Sequence, residues 1–256
     1  MIEVELYRRL AERAVGRVVA HVDAPDEWFL KGGLDPATLR RALEGRTVTG
    51  TRRIGKLLLL DTDGPTLGLR FGMTGRLLVD GEAGLEELEY GSSRDEPAWD
   101  RVVVHFAGGG DLRVRDPRRL GGVALDPDER RLGVDALAVT RGQLAGILRA
   151  SSALVKARLM DQARLAGLGN LLADEVLWRA GIDPARPAGS LGDVEVRRLH
   201  GHVRRTVRAL LERGGSHMGG LQPARLRGGV CPRDGVPLLR RVIGGRTTYS
   251  CPVHQI

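Results

Sequence analysis

The period of the hydrophobic positions changes along the chain. Residues 3–15 set Val4, Leu6, Leu10 and Val15 among charges, a spacing that predicts a short amphipathic helix. From about 16 to 124 the apolar residues come in short β-type runs: RVVAHV, RTVTGTRRIG, KLLLLDTD, TLGLRFGMTGRLLV, RVVVHFAGG and DLRVRDP. Gly, Asp and Pro turns part them. One helix interrupts the series at 35–45, DPATLRRALEG, with Asp35 as N-cap and Gly45 beyond its end. Such an order predicts a two-layer β-sandwich.

The segment DPDERRLGVDALAV at 126–139 reads as a linker. From 140 the spacing turns to three and four in TRGQLAGILRA, SSALVKARLM, GNLLADEVLWRAG and VEVRRLHGHVRRTVRALLERGG, which predicts helices. Near the end, LRRVIGGRTTYSC reads as a β-hairpin turning at Gly244-Gly245. The expected fold class is a multidomain α+β protein. A β-sandwich with a leading helix occupies 1–125, a linker 126–139, a helical domain 140–225 and a terminal hairpin 226–256.

Composition narrows the setting. The run LLLL at 57–60 is bounded by Lys56 and Asp61, and no apolar run approaches the roughly 18 residues a membrane span needs, so no membrane partner is expected. The N-terminus MIEVELYRRL is charged from its third residue, unlike a secretory signal, and a cytoplasmic, nucleoid-associated monomer is expected. The formal charge of +8 favours polyanionic partners. All but Lys31, Lys56 and Lys156 of the 40 basic residues are arginines. A GC-rich genome accounts for most of that bias, yet a lysine that survives in it marks a position whose chemistry arginine does not supply. Two cysteines, Cys231 and Cys251, fall near the C-terminus, where a lone pair in a cytoplasmic protein more often binds metal, or has no special role, than forms a disulfide.

The most informative stretch is LAGLGNLLADEVLWRAGIDP at 165–184. Gly167 and Gly169 flank a tight turn and Asn170 opens a helix, an arrangement that offers backbone N–H groups and an amide donor to an anion. An ordinary helix–turn–helix packing element fits those residues equally well. The longer stretch LMDQARLAGLGNLLADEVLWRAGIDP, however, resembles the helix–two-turn–helix signature of the formamidopyrimidine-DNA glycosylase and endonuclease VIII family nearly residue for residue. IEVELYRRL, TRRIGKLLLL, GLRFGMTGRL, VRDPRRLGG and GGRTTYSC extend the resemblance, in order, over essentially the whole chain.

The resemblance implies duplex DNA with a damaged base or an abasic site as partner, base excision as function, and DNA in a cleft between two domains. It implies that Asn170 and Lys156 hold phosphates beside the lesion and that Arg246, at the hairpin turn, faces the phosphate of the flipped nucleotide. An enzyme that extrudes a base must fill the gap. The family does so with three side chains, which match Met73, Arg118 and Leu120. Leu120 replaces the usual Phe, which keeps an apolar wedge but weakens stacking. Lys56 matches a lysine that bridges phosphates and assists catalysis. The family's terminal zinc finger has C-x2-C-x16-C-x2-C spacing. Here Cys231, Asp234, Cys251 and His254 keep that spacing with two ligand types changed, and all four side chains can bind zinc. A hairpin held by packing alone is the alternative.

The pattern breaks at the start. Family members begin Met-Pro-Glu-Leu-Pro-Glu-Val-Glu, and the Pro amine exposed by loss of Met attacks the sugar carbon while the Glu handles protons. This chain begins Met1-Ile2-Glu3-Val4-Glu5. Matching Val4-Glu5 to the family's Val-Glu leaves no Pro-Glu pair; setting Ile2-Glu3 on Pro-Glu requires three residues deleted. Three readings stay open: an active glycosylase and lyase with Met1 or Ile2 as amine and Glu3 as acid/base, a start site assigned too far downstream, or a damage-binding relative that does not cut. The segment 214–230 is also shorter than the family's lesion-covering insert, which argues against strong reliance on 8-oxoguanine.

Overall fold

The computed structural model describes residues 1–85, 88–89, 91, 94 and 96–256. It divides into two compact units, one of Glu3–Glu129 and one of Met1–Ile2 with Arg130–Ile256.

The first unit is a β-sandwich. Helix α1 (Ile2–Ala11) leads in, and α2 (Pro36–Leu43) is capped by Asp35, whose carboxylate accepts from Thr38 N at 2.8 Å. The strands are β1 (Val19–Asp23), β2 (Val48–Ile54), β3 (Leu57–Thr62), β4 (Leu67–Arg70), β5 (Arg76–Val79), β6 (Glu82–Ala83), β7 (Asp100–Phe106), β8 (Asp111–Arg115) and β9 (Gly122–Leu125). They form a five-stranded sheet in the order β1-β7-β8-β5-β6 and a four-stranded sheet in the order β2-β3-β4-β9. Alternate residues of β7, from Asp100 to Phe106, are buried, as a strand with one covered face requires. Inward residues of both sheets, among them Leu58, Leu69, Leu77, Val104 and Val123, share one core.

The leading helix differs from its expected face. Val4, Tyr7 and Ala11, at i, i+3 and i+7, are buried, Leu6 and Leu10 only flank the core, and Val15 is exposed beyond the helix end. Tyr7 is the residue the pattern missed. Its ring packs on Phe71 at 4.6 Å between centroids and its hydroxyl donates to the Gly75 carbonyl.

The second unit is mainly helical, with α3 (Arg141–Arg149), α4 (Val155–Leu159), α5 (Asn170–Ala180) and α6 (Asp193–Glu212). Thr140 and Gln143 form a capping box on α3. Gly181, at φ 64°, closes α5 in the left-handed conformation that glycine adopts without strain. On α6 the buried positions Val196, Leu199, Val203, Val207 and Leu210 keep three-to-four spacing. The side chains of Met1 and Ile2 lie in this unit's core, with Val139, Leu144 and Leu172. The segment expected as a linker carries β10 (Val134–Asp135), paired in parallel with β11 (Leu165–Ala166). Two backbone pairings are too few to leave a hydrophobic period, so the sequence did not reveal them. Strands β12 (Leu239–Ile243) and β13 (Arg246–Ser250) make the terminal hairpin, and Gly244 and Gly245 both take positive φ in its two-residue turn.

Candidate nucleic-acid interface and metal centre

In the β-sandwich unit one buried carboxylate organises two loops. Asp116 is fully enclosed and accepts from the Thr74 hydroxyl at 2.5 Å, from Arg118 N at 3.2 Å and from Gly121 N at 2.8 Å. Thr74 closes the turn that carries Met73, and residues 117–121 form the loop that carries Arg118 and Leu120. Gly72, at φ 59°, lies so close to that loop that a Cβ there would stand 2.6 Å from Leu120 Cβ. The structure therefore brings Met73 and Leu120 into neighbouring loop tips, 52% and 44% exposed. Arg118 is exposed beside them. Two exposed apolar side chains and a guanidinium on pinned backbone can enter a base stack.

Lys56 sits in the two-residue turn between β2 and β3, after Gly55 at φ 59°. Next to it Arg53 donates to the Gly55 carbonyl at 2.8 Å and pairs with Glu5 at 3.0 Å, which fixes this turn to α1. Burial alone would push the Glu5 carboxyl up, but hydrogen bonds from Arg8 and Arg53 outweigh it and hold its pKa below the ordinary value. Glu3 is half-buried.

In the helical unit Asn170 is the first residue of α5, whose N-terminus no side chain caps. Its amide donates to the Thr247 carbonyl at 3.0 Å. That bond fastens the helix start to the residue after Arg246, which is exposed at the head of β13. A helix N-terminus, an amide and a guanidinium thus share one surface, the composition of an anion site.

Lys156 lies between α5 and the hairpin strand. It is 0% exposed, and its ammonium meets Asp174 Oδ1 at 2.7 Å, Thr248 Oγ1 at 2.7 Å and the Thr247 carbonyl at 3.3 Å. The ammonium donates to the Thr248 hydroxyl and the Thr247 carbonyl and forms an ion pair with Asp174. Burial holds its pKa below the ordinary lysine value in spite of Asp174. In this geometry the ammonium binds the hairpin strand. Asp174, missed in the sequence, is the hub. Its Oδ2 also accepts from Arg225 at 2.8 Å and from Tyr249 N at 3.2 Å. Its neighbour Glu175 accepts from Gly220 N at 3.0 Å and Leu221 N at 2.8 Å. Together the two acids pin both β13 and the short 219–225 segment to α5.

Cys231, Asp234, Cys251 and His254 converge, with donor atoms all within 4.8 Å of one another. Cys251 Sγ is 3.1 Å from Asp234 Oδ2, and Cys231 Sγ is 3.9 Å from His254 Nδ1. His254 Nε2 lies 3.0 Å from the Trp178 carbonyl, which only accepts. That bond puts a proton on Nε2 and turns Nδ1 into the cluster against Asp234 Oδ2, the orientation of a metal-ligating histidine. The Trp178 indole N–H points to Cys231 Sγ at 3.3 Å, and Val253 N to Cys251 Sγ at 3.4 Å. Two sulfurs, one imidazole nitrogen and one carboxylate form a group able to hold a metal ion.

A β-sandwich unit followed by a helical unit whose helix start is bonded to a terminal hairpin with a metal-type cluster defines a helix–two-turn–helix DNA glycosylase architecture. The family model of the formamidopyrimidine-DNA glycosylase N-terminal domain matches residues 1–123, and that of the formamidopyrimidine-DNA glycosylase H2TH domain matches 132–220. The chain belongs to the formamidopyrimidine-DNA glycosylase family. It is 35% identical to the formamidopyrimidine-DNA glycosylase of Symbiobacterium thermophilum, over 98% of this chain and 87% of that protein. It is also 35% identical to that of Paracoccus denitrificans, over 99% and 98%. Among solved structures it resembles Lactococcus lactis Fpg in complex with an abasic site containing DNA (TM-score 0.82, 25% identity, 100% and 98% covered). It likewise resembles the wild-type Lactococcus lactis Fpg in complex with an N7-benzyl-Fapy-dG containing DNA (TM-score 0.81, 26% identity, 99% and 98% covered).

Proposed function

We propose that this chain recognises damaged duplex DNA in base excision repair as a DNA glycosylase, with strand cleavage at abasic sites slower than in relatives that begin with Pro-Glu. The observation that carries the reading is the Asn170–Thr247 bond, which sets the uncapped start of α5 beside Arg246. Arg246 and Asn170 hold the backbone of the extruded nucleotide. Lys156 acts through Asp174 and the Thr247 carbonyl to fix that strand. Met73 and Leu120 fill the vacated stack, and Arg118 bonds the orphaned base. Lys56 bridges phosphates. Met1 or Ile2 would supply the amine and Glu3 the proton transfer, although the Met1 and Ile2 side chains lie in an apolar core.

Zinc fits the terminal cluster, whose mixed S2NO donor set and inward-turned histidine suit that ion. Cys231, Asp234, Cys251 and His254 would hold it, and it would stiffen the two turns that flank the hairpin. The shortness of the 214–230 segment argues against strong reliance on 8-oxoguanine.

The test is a panel of duplexes with oxidised, ring-opened and abasic sites, scored separately for binding and for cleavage. Binding should favour abasic over intact duplex and weaken steeply with salt, because neutralised phosphates release counterions. Equal affinity for damaged and intact duplex would remove the reading. Binding without base release on any lesion would instead make the chain a damage-binding relative.

A further inference from the structure

We propose that Trp28 is a second stacking element that contacts a nucleobase of the bound duplex next to the Leu120 wedge. The chain has only nine Trp, Tyr and Phe residues, and among those described Trp28 alone is exposed, at 67%. An exposed indole offers a wide, flat apolar face that a stacked ring can cover.

Its surroundings indicate which. The segment 26–31 is clasped to the wedge loop at both ends. At one end Asp26 pairs with Arg119 at 2.6 Å. At the other, Lys31 N donates to the Val123 carbonyl at 2.8 Å, and the Lys31 side chain lies across Gly122, where a Cβ would stand 2.6 Å from its Cε. Between them the Phe29 ring packs against Gly121, 3.0 Å from where a Cβ would be. Trp28 is thus held beside the loop that presents Leu120, on the same unit.

The ring is also oriented. The Lys31 ammonium lies 5.0 Å from the indole centroid and donates to the Trp28 carbonyl at 2.6 Å. A cation over one face of an exposed indole steadies the ring and leaves its other face for a flat partner. Lys31 is one of three lysines in an arginine-dominated chain, and Arg118 and Arg119 are exposed on the adjoining loop. An aromatic plane with a cation on one face and the other face open matches a stacked nucleobase, the pairing that nucleic-acid stacking platforms use. Trp28 thereby supplies aromatic surface next to a wedge whose tip is the aliphatic Leu120.

The inference rests on the damaged-DNA reading above, and the experiment separates the two. Wild type, Trp28→Ala, Trp28→Phe and Leu120→Ala are titrated with abasic-site duplex, and melting temperature, salt slope and tryptophan emission are recorded. Trp28→Ala should bind about tenfold more weakly, with unchanged melting temperature and unchanged salt slope, because a stacking contact releases no counterions. Trp28→Phe should keep most of the affinity and lose most of the emission quenching that DNA causes in wild type. Wild-type affinity in Trp28→Ala, or quenching that persists in Trp28→Phe, overturns the proposal. If Leu120→Ala still weakens binding in that case, the damaged-DNA reading stands without Trp28. If wild type does not distinguish abasic from intact duplex, the reading itself has failed.

Discussion

The Lys156 ammonium lies 2.7 Å from Oδ1 of Asp174, and neither side chain reaches solvent. The pair joins α4 to α5, and Arg225 and Tyr249 N on the same carboxylate extend it to the 219–225 segment and to β13. A buried ion pair adds little net stability over an apolar pair of the same shape, but breaking it strands a charge. Asp174→Ala should therefore cost about 3–5 kcal/mol of folding stability in urea titrations. A loss below about 1 kcal/mol, the range of exposed pairs, would show that water screens the site.

Acid should act through Glu5. Its folded pKa is depressed by Arg8 and Arg53, so the stability it contributes is complete above the unfolded value near 4.5 and is lost as pH falls through the folded value. Wild type should lose stability over that window, and Glu5→Gln should start lower and show a flatter acid limb. Parallel melting curves for the two proteins between pH 5 and pH 3 (roughly the window set by linkage) would contradict this.

Metal content is the third expectation. Protein purified without chelator should carry about one zinc per chain, and His254→Ala and Asp234→Ala should each lower that content in elemental analysis. Chelation should lower the melting temperature of wild type and leave that of Cys231→Ala/Cys251→Ala nearly unchanged. Metal-free protein with the same melting temperature before and after added zinc would leave packing alone as the support of the hairpin.

The chemistry of the N-terminus is open to direct trial. With Met1-Ile2-Glu3 as written, borohydride trapping on abasic duplex should be slow, since efficient turnover needs a positioned acid/base as well as an amine. Placing Pro-Glu-Leu ahead of Ile2, with the initiating Met removed, should raise trapping and cleavage. Lys56→Ala should then lower cleavage again. Fast trapping by the chain as written would identify Met1 or Ile2, with Glu3, as the working pair.

Features that depend on near neighbours were legible in the sequence. Asp35 announced a helix three residues ahead of the amide it caps, Gly244-Gly245 announced a hairpin turn, and the Cys231/Asp234 and Cys251/His254 spacings announced a cluster. Asp116 and Asp174 did not stand out, because each joins segments far apart in the chain: Thr74 is 42 residues from Asp116, and Tyr249 is 75 from Asp174. Nor does a sequence tell a buried lysine from an exposed one. Lys156 kept its motif position while three acceptors, two of them over 90 residues away, closed around it. The exposure of Trp28 was hidden for the opposite reason, since its flanks Ala24, Phe29 and Leu30 are buried and periodicity alone assigns it to the same core.

Asp116 reaches the wedge only through backbone N–H groups and the Thr74 hydroxyl. None of these bonds involves the side chain of Met73, Arg118 or Leu120. Mutation at those three positions therefore leaves the hydrogen bonds that hold the two loops in place. A lineage can exchange Leu for Phe at 120, or reshape the tip for a different lesion, without first acquiring a compensating change elsewhere. The loop pair works as a socket with a replaceable insert, and the near-absence of epistasis between socket and insert would let damage preference drift far while the scaffold stays recognisable.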